Sequence, residues 1–159
     1  MALGGNLAGA FDSCEALLEA ALARFPAVGL PVLARSRWWR SAAWPDPTGP
    51  EYRNGVAIVE TKAGPDEALA ALLEVEAALG RTRGERNAAR TLDLDLIAYG
   101  RTVMESDGLT LPHPRAHERR FVMGPLAEIA PGWRHPVTGA TAAALAATAT
   151  VGQDAEPVG

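Results

Sequence analysis

Arg90-Thr91-Leu92-Asp93-Leu94-Asp95-Leu96-Ile97 is the stretch on which the reading of this chain turns. Apolar and polar residues alternate with a period of two before a short apolar end, which is the pattern of a β-strand. Successive side chains on a strand point to opposite faces, so Leu92, Leu94 and Leu96 share one face and Asp93 and Asp95 the other. Two strand rises put the aspartate Cα atoms about 6.7 Å apart. At an effective dielectric of about 20, two carboxylates at that spacing repel by roughly 2.5 kcal/mol. Cations between them offset that cost, and Mg²⁺ is the usual hard cation for carboxylates that also hold substrate phosphates. The ordinary alternative is a strand with one wet face whose aspartates keep an edge soluble. The segment upstream favours the metal.

That segment, Gly80-Arg81-Thr82-Arg83-Gly84-Glu85-Arg86-Asn87-Ala88-Ala89-Arg90, is a glycine-punctuated loop carrying four arginines. The 159-residue chain has a formal charge of -4 and a pI near 5.4, so the basic cluster is local. Arginine forks match phosphate oxygens bidentately and keep their charge. A cationic loop running into a dicarboxylate strand offers guanidinium and metal to one polyphosphate from two sides. A second basic cluster follows in Leu111-Pro112-His113-Pro114-Arg115-Ala116-His117-Glu118-Arg119-Arg120-Phe121. Flanking prolines keep His113 out of a helix or a central strand and present it from a stiff loop.

Outward from these blocks the chain reads as alternating elements. Gly4-Gly5 is expected to be a structural turn after a very short lead-in, which leaves a first strand poorly defined. Asp12 or Ser13 caps a helix with a stripe of Ala16, Leu17, Ala20, Ala21 and Phe25, ended by Pro26. A strand is expected over residues 31–40, a long functional loop with Trp44 over 41–50, and a strand over 52–61. Pro65 and Asp66 open a second helix with Leu69, Leu72, Leu73 and Leu79 on its stripe and Gly80 as its stop. Glu76 falls on that stripe, where a carboxylate is costly unless partnered. It either reaches water at the helix end or points to the nucleotide side. Tyr99-Gly100-Arg101 is expected to turn a hairpin into residues 102–104, and a third helix is expected over 121–129. The tail from Thr138 carries little pattern, and 152–159 is expected to be disordered beyond a single domain of residues 1–151.

This order of strands and helices predicts an α+β fold, a ferredoxin-like βαββαβ sandwich with a mainly antiparallel sheet and helices packed on one face. One cysteine, Cys14, cannot form an internal disulfide and is read as a small buried side chain. No apolar run approaches a membrane span, no signal-peptide layout opens the chain, and the acidic balance argues against a nucleic-acid surface. Cytoplasmic location, no membrane or nucleic-acid partner, and a monomer are the expectations. No phosphate loop of the Gly-Lys-Ser/Thr type is present, so ATP is not held that way.

Four blocks together resemble 6-hydroxymethyl-7,8-dihydropterin pyrophosphokinase, the folate-pathway family that moves pyrophosphate from ATP to a pterin alcohol. They are Leu3-Gly4-Gly5-Asn6-Leu7, Pro50-Glu51-Tyr52-Arg53-Asn54, the run from Gly80 to Ile97, and the run from Leu111 through Phe121 to Pro131. The resemblance implies that Asp93 and Asp95 hold two Mg²⁺ ions and that Arg81 and Arg90 act with them in catalysis. It places the ATP phosphates against Arg81, Arg83, Arg90, His113 and Arg119, with Glu76 on the nucleotide side. It implies stacking of the pterin by Tyr52 and Phe121, ring-edge hydrogen bonds to Asn54, and contacts from Ala42 and Trp44. The chain departs from the pattern in three places. Asn87-Ala88-Ala89 stands where many relatives have Trp-Gly-Pro, Pro114 where a tyrosine can follow the histidine, and Gly108 where an arginine can stand. None touches the aspartate pair, so altered affinity is expected rather than lost activity. The rival readings are a non-catalytic ferredoxin-like module binding a small molecule, and a two-metal nucleotidyltransferase releasing pyrophosphate instead of AMP.

Overall fold

Four residues, Ala2–Gly5, form the strand about which the sheet is arranged. This strand, β1, pairs antiparallel with two others, Ala2 facing Val56 on one side and Asp95 on the other. The structure is a computed structural model that describes residues 1–43, 48–79 and 92–158. Its elements run β1 Ala2–Gly5, α1 Cys14–Arg24, β2 Val32–Arg35, β3 Trp39–Ser41, β4 Tyr52–Val59, α2 Pro65–Ala78, β5 Asp93–Asp95, β6 Met104–Ser106, β7 Leu109–Leu111, α3 Arg120–Ile129, α4 Ala142–Thr148 and β8 Glu156–Pro157. The main sheet has the order β5-β1-β4-β3-β8, and β2 pairs with β4 beside β3. The ferredoxin-like α+β arrangement read from the sequence is therefore the fold.

One face of the sheet carries Leu3, Ala57 and Leu94, which pack with Leu17, Leu18, Leu22, Phe25, Leu72 and Val75 of the α1 and α2 layer. Ser13 caps α1 as read, its Oγ accepting from Ala16 N at 3.0 Å. The helix stripes are rotated from the sequence reading. In α1 the buried residues are Leu17, Leu18, Ala21 and Leu22. In α2 they are Ala68, Ala71, Leu72, Val75 and Glu76, while Leu73 is 41% exposed. Alanines fill the close approach to the sheet, so leucine positions alone misplace the axis of burial.

The opposite face carries Ala2, Val56 and Ile97 beneath Val122, Met123 and Leu126 of α3 and Leu145 of α4. Helices thus lie on both faces rather than on the one expected, with α1 and α2 on one and α3 and α4 over part of the other, because both faces carry buried apolar residues. Several local expectations give way. Gly4 and Gly5 are strand residues of β1 rather than a turn. The strand expected over 31–40 is broken into β2 and β3 around Ser36, whose Oγ accepts from Val56 N at 3.0 Å. The hairpin after Tyr99 lies further on: residues 99–102 form a turn, but the paired strands are β6 and β7, joined at Gly108 with φ +82. Cys14 is half-buried at the first residue of α1.

The segment expected to be patternless and then disordered is ordered through residue 158. Thr141 caps α4, its Oγ1 accepting from Ala144 N at 3.1 Å, and β8 pairs with β3 through Arg40 and Glu156. Ala155 is buried among its neighbours at 2% exposure. Short apolar side chains give little periodic signal, and the order comes from backbone pairing to distant elements.

Candidate active site

Cross-strand neighbours point to the same face, so the register fixes what Asp93 and Asp95 look at. Asp95, Ala2 and Val56 make one row across β5, β1 and β4; Asp93, Gly4 and Asn54 make the next, extended by Trp39 on β3. Both aspartates therefore stand on the face that carries α3, half-buried, while Leu94 between them is buried in the core behind. The alternation read from the sequence is the one observed.

β5 is the edge strand, and its outward backbone is secured by α2. Glu76 Oε2 accepts from Leu94 N at 2.8 Å, and the residue is only 3% exposed. Glu76 thus neither reaches water nor stands loose at the helix end; it grips the backbone between the two aspartates.

Next to Asp93 lies the second basic cluster. His113 N donates to Ile97 O at 2.8 Å, which ties the loop after β7 to the chain leaving β5. His113 Nδ1 accepts from Arg115 N at 3.2 Å, so the neutral ring carries its proton on Nε2. Burial pushes the His113 pKa below its usual range, and Arg119 and Arg115 push it the same way, while Asp93 acts against them. Asp95, Ser106, Thr110 and His113 line a cleft of about 330 Å³ between β5 and the β6–β7 hairpin. Ser106 and Thr110 were not singled out from the sequence; the half-buried polar middle position of β7, flanked by two buried leucines, is the signal that marks Thr110.

The other end of the same face holds the aromatic and amide groups. Tyr52 and Asn54 are two residues apart on β4 and share the face. Asn54 is 8% exposed, its Nδ2 donating to Ser41 Oγ at 3.2 Å. A Cβ on Gly4 would lie 2.8 Å from Asn54 Oδ1, so the Asn54 amide leans over β1 only because Gly4 has no side chain. Phe121, in the first turn of α3, packs at the rim of the α3 core, with the Arg119 guanidinium carbon 5.7 Å from its ring centroid. Ala42 follows directly on β3. The structure thus gathers Asp93, Asp95 and His113 at one end and Tyr52, Asn54 and Ala42 at the other, with the Arg119 guanidinium against the Phe121 ring at the start of α3. The expectations for Trp44, Arg81, Arg83 and Arg90 lie outside the described residues.

The class that this arrangement defines is a ferredoxin-like α+β enzyme, its candidate site on the partly covered face of the sheet. The profile of the 7,8-dihydro-6-hydroxymethylpterin-pyrophosphokinase family matches residues 1–131, and the chain belongs to that family. It is 44% identical over 140 residues to the 2-amino-4-hydroxy-6-hydroxymethyldihydropteridine pyrophosphokinase of Synechocystis sp., covering 87% of this chain and 69% of that one. The protein of the same description from Pseudomonas aeruginosa is 38% identical over 140 residues, covering 86% and 82%. The folic acid synthesis protein fol1 of Pneumocystis carinii is 34% identical over 139 residues, 87% of this chain and 18% of that protein. The chain is a pyrophosphokinase of folate biosynthesis. No helix among the described residues is long and apolar enough to cross a membrane.

Proposed function

We propose that the chain transfers pyrophosphate from ATP to the hydroxymethyl group of 6-hydroxymethyl-7,8-dihydropterin and releases AMP, acting as a cytoplasmic monomer on small molecules alone. The observation that carries this reading is the shared row of Asp93, Gly4 and Asn54. The pterin stacks between Tyr52 and Phe121, with its ring edge on Asn54 and its rim against Ala42 and Trp44. Its hydroxymethyl arm extends over Gly4, where no side chain intervenes, toward the aspartate end.

There the hydroxymethyl oxygen bonds to the β-phosphorus of ATP, and the bond from that phosphorus to the oxygen shared with the α-phosphorus breaks. AMP leaves with that oxygen, and the hydroxyl proton of the pterin alcohol passes to water. Such a transfer asks mainly for positioning and for stabilisation of phosphate charge. His113 donates from Nε2 and Arg119 from its guanidinium to phosphate oxygens, joined by Arg81, Arg83 and Arg90. Glu76 holds β5 so that both carboxylates face the substrates.

The donor set fits magnesium: two carboxylates on one strand face, oxygen donors only, half-buried beside a cationic cluster, a pairing that Mg²⁺ shares with substrate phosphates. Two Mg²⁺ ions held by Asp93 and Asp95 would neutralise phosphate charge and orient the reacting oxygens. The test is AMP release from ATP and the pterin alcohol with and without Mg²⁺. Nucleotide binding that calorimetry finds indifferent to Mg²⁺ would point instead to a non-catalytic module.

A further inference from the structure

Residues 149–158 run past the end of the family match at residue 131 and cross the site's aromatic end as a strap. The strap leaves α4 and lies along the entry to α3. Thr150 N and Val151 N both donate to Glu118 O, at 3.1 and 2.9 Å, and Arg120 N donates to Val151 O at 2.9 Å. The Arg120 side chain then ties the strap to α4, with Nε on Ala155 O at 3.0 Å and Nη1 on Ala146 O of α4 at 3.1 Å. Its far end is β8, paired with β3 and reinforced by Arg40 Nη2 to Glu156 Oε1 at 2.5 Å. Val158 N donates to Trp38 O at 2.9 Å.

Two contacts along the strap reach residues of the pterin end directly. Gly152 lies against the Phe121 ring: a Cβ there would sit 2.5 Å from Cδ1 and 3.1 Å from Cε1, and the residue has φ +68. Only glycine combines that backbone with that approach. Two residues on, Asp154 Oδ2 accepts from Ala42 N at 2.7 Å. Phe121 and Ala42 come from elements far apart in sequence, α3 and the end of β3, and one short segment contacts both.

We infer that residues 149–158 are a positioning element for the pterin, with Gly152 seating the Phe121 ring and Asp154 orienting the Ala42 peptide. The inference rests on the pterin site proposed above. A ring held by its neighbours before substrate arrives costs less entropy when substrate stacks on it. Val151 also pairs with the backbone of Arg119, but Gly152 and Asp154 contact Phe121 and Ala42, so the influence of these two residues falls on the pterin.

The test measures KM for the pterin and for ATP separately in Gly152→Ala, Asp154→Ala and Asp154→Asn, with thermal melts as a fold check. Gly152→Ala should raise the pterin KM about tenfold, because displacement of a positioned group by a fraction of an ångström is enough. Asp154→Ala should raise it roughly threefold, the loss of one ordinary hydrogen bond. Asp154→Asn, which keeps an acceptor oxygen, should restore most of that loss. The ATP KM should stay within about twofold throughout. In a Phe121→Leu background, Gly152→Ala should add little, because the two act through one ring. Equal rises in both KM values, or no rise for the pterin, would overturn the inference. A wild-type protein that does not turn over the pterin would sink the proposed reaction instead. The strap is then judged on a crystal structure of Gly152→Ala, where an unmoved Phe121 ring overturns it and a displaced ring beside an unchanged β5 sustains it.

Discussion

Asp93 and Asn54 stand in one row of the sheet with Gly4 between them. Two strand spacings put their Cα atoms about 9.6 Å apart. Any side chain at residue 4 would divide that span, and it would also meet the Asn54 amide at 2.8 Å. The glycine therefore joins an amide that can read a flat heterocycle to a carboxylate that can hold a metal. The backbone of a paired strand is rigid, so neither end can drift relative to the other.

Gly4→Ala follows directly. Its Cβ displaces Asn54 Oδ1 and breaks the alignment of that amide with Ser41 Oγ. The expected result is a pterin KM raised about tenfold, an ATP KM little changed, and a folded protein by circular dichroism. Unaltered pterin kinetics would show that Asn54 does not read the ring.

Asp93→Ala and Asp95→Ala each remove one of the two half-buried carboxylates on the α3 face of β5 without touching the buried leucines behind. Each should lower kcat at least about a hundredfold, in the range seen when an electrostatic group of a transition state is deleted. AMP release near the wild-type rate in Asp95→Ala would defeat the metal assignment.

How much of this was legible beforehand depends on which physical signal each element carries. The alternation at 92–96 fixes its own faces, because a strand has no other way to bury three leucines and keep two aspartates wet. The third helix was readable from Phe121 to Ile129 and begins one residue earlier. The partners of these elements were not readable. Glu76 reads as a misplaced charge until Leu94 N appears beside it. Gly4 reads as punctuation until Asn54 leans over it. The strap at 149–158 has no periodic pattern, because what holds it is backbone hydrogen bonding, a few polar side-chain contacts and one glycine contact. Sequence periodicity reports burial; it says little about which distant group satisfies a backbone amide.

Glu76 offers a test of that kind of contact. Removing its carboxylate in Glu76→Ala strands the Leu94 amide at a buried edge and should destabilise the fold by about 1–3 kcal/mol. Glu76→Gln keeps an oxygen for Leu94 N and should recover much of the loss. Urea denaturation separates the two. If Glu76→Ala lost activity with no loss of stability, the residue would act on the nucleotide rather than on β5.

His135 supplies a pH dependence. Its Nδ1 accepts from Val137 N at 3.2 Å and Thr138 N at 3.1 Å, which holds the neutral ring in the tautomer protonated on Nε2. The residue is 4% exposed. Burial lowers its pKa from the usual 6.5, and the charges of His117 and Arg101 lower it further. A histidine whose folded pKa is depressed binds its proton more readily in the unfolded chain. Its contribution to stability is therefore complete above 6.5 and is lost as pH falls from there through the folded value. Stability measured by urea should decline from pH 7 to about pH 5, and His135→Asn, which keeps an acceptor for the two amides but does not titrate, should flatten part of that slope. His117 Nε2 lies 3.9 Å from Glu118 Oε1, and its ring centroid is 5.4 Å from that of His135, so the double variant with His117→Asn isolates the share owed to repulsion between the two rings. An identical slope in His135→Asn and wild type would show that the ring does not carry the linkage.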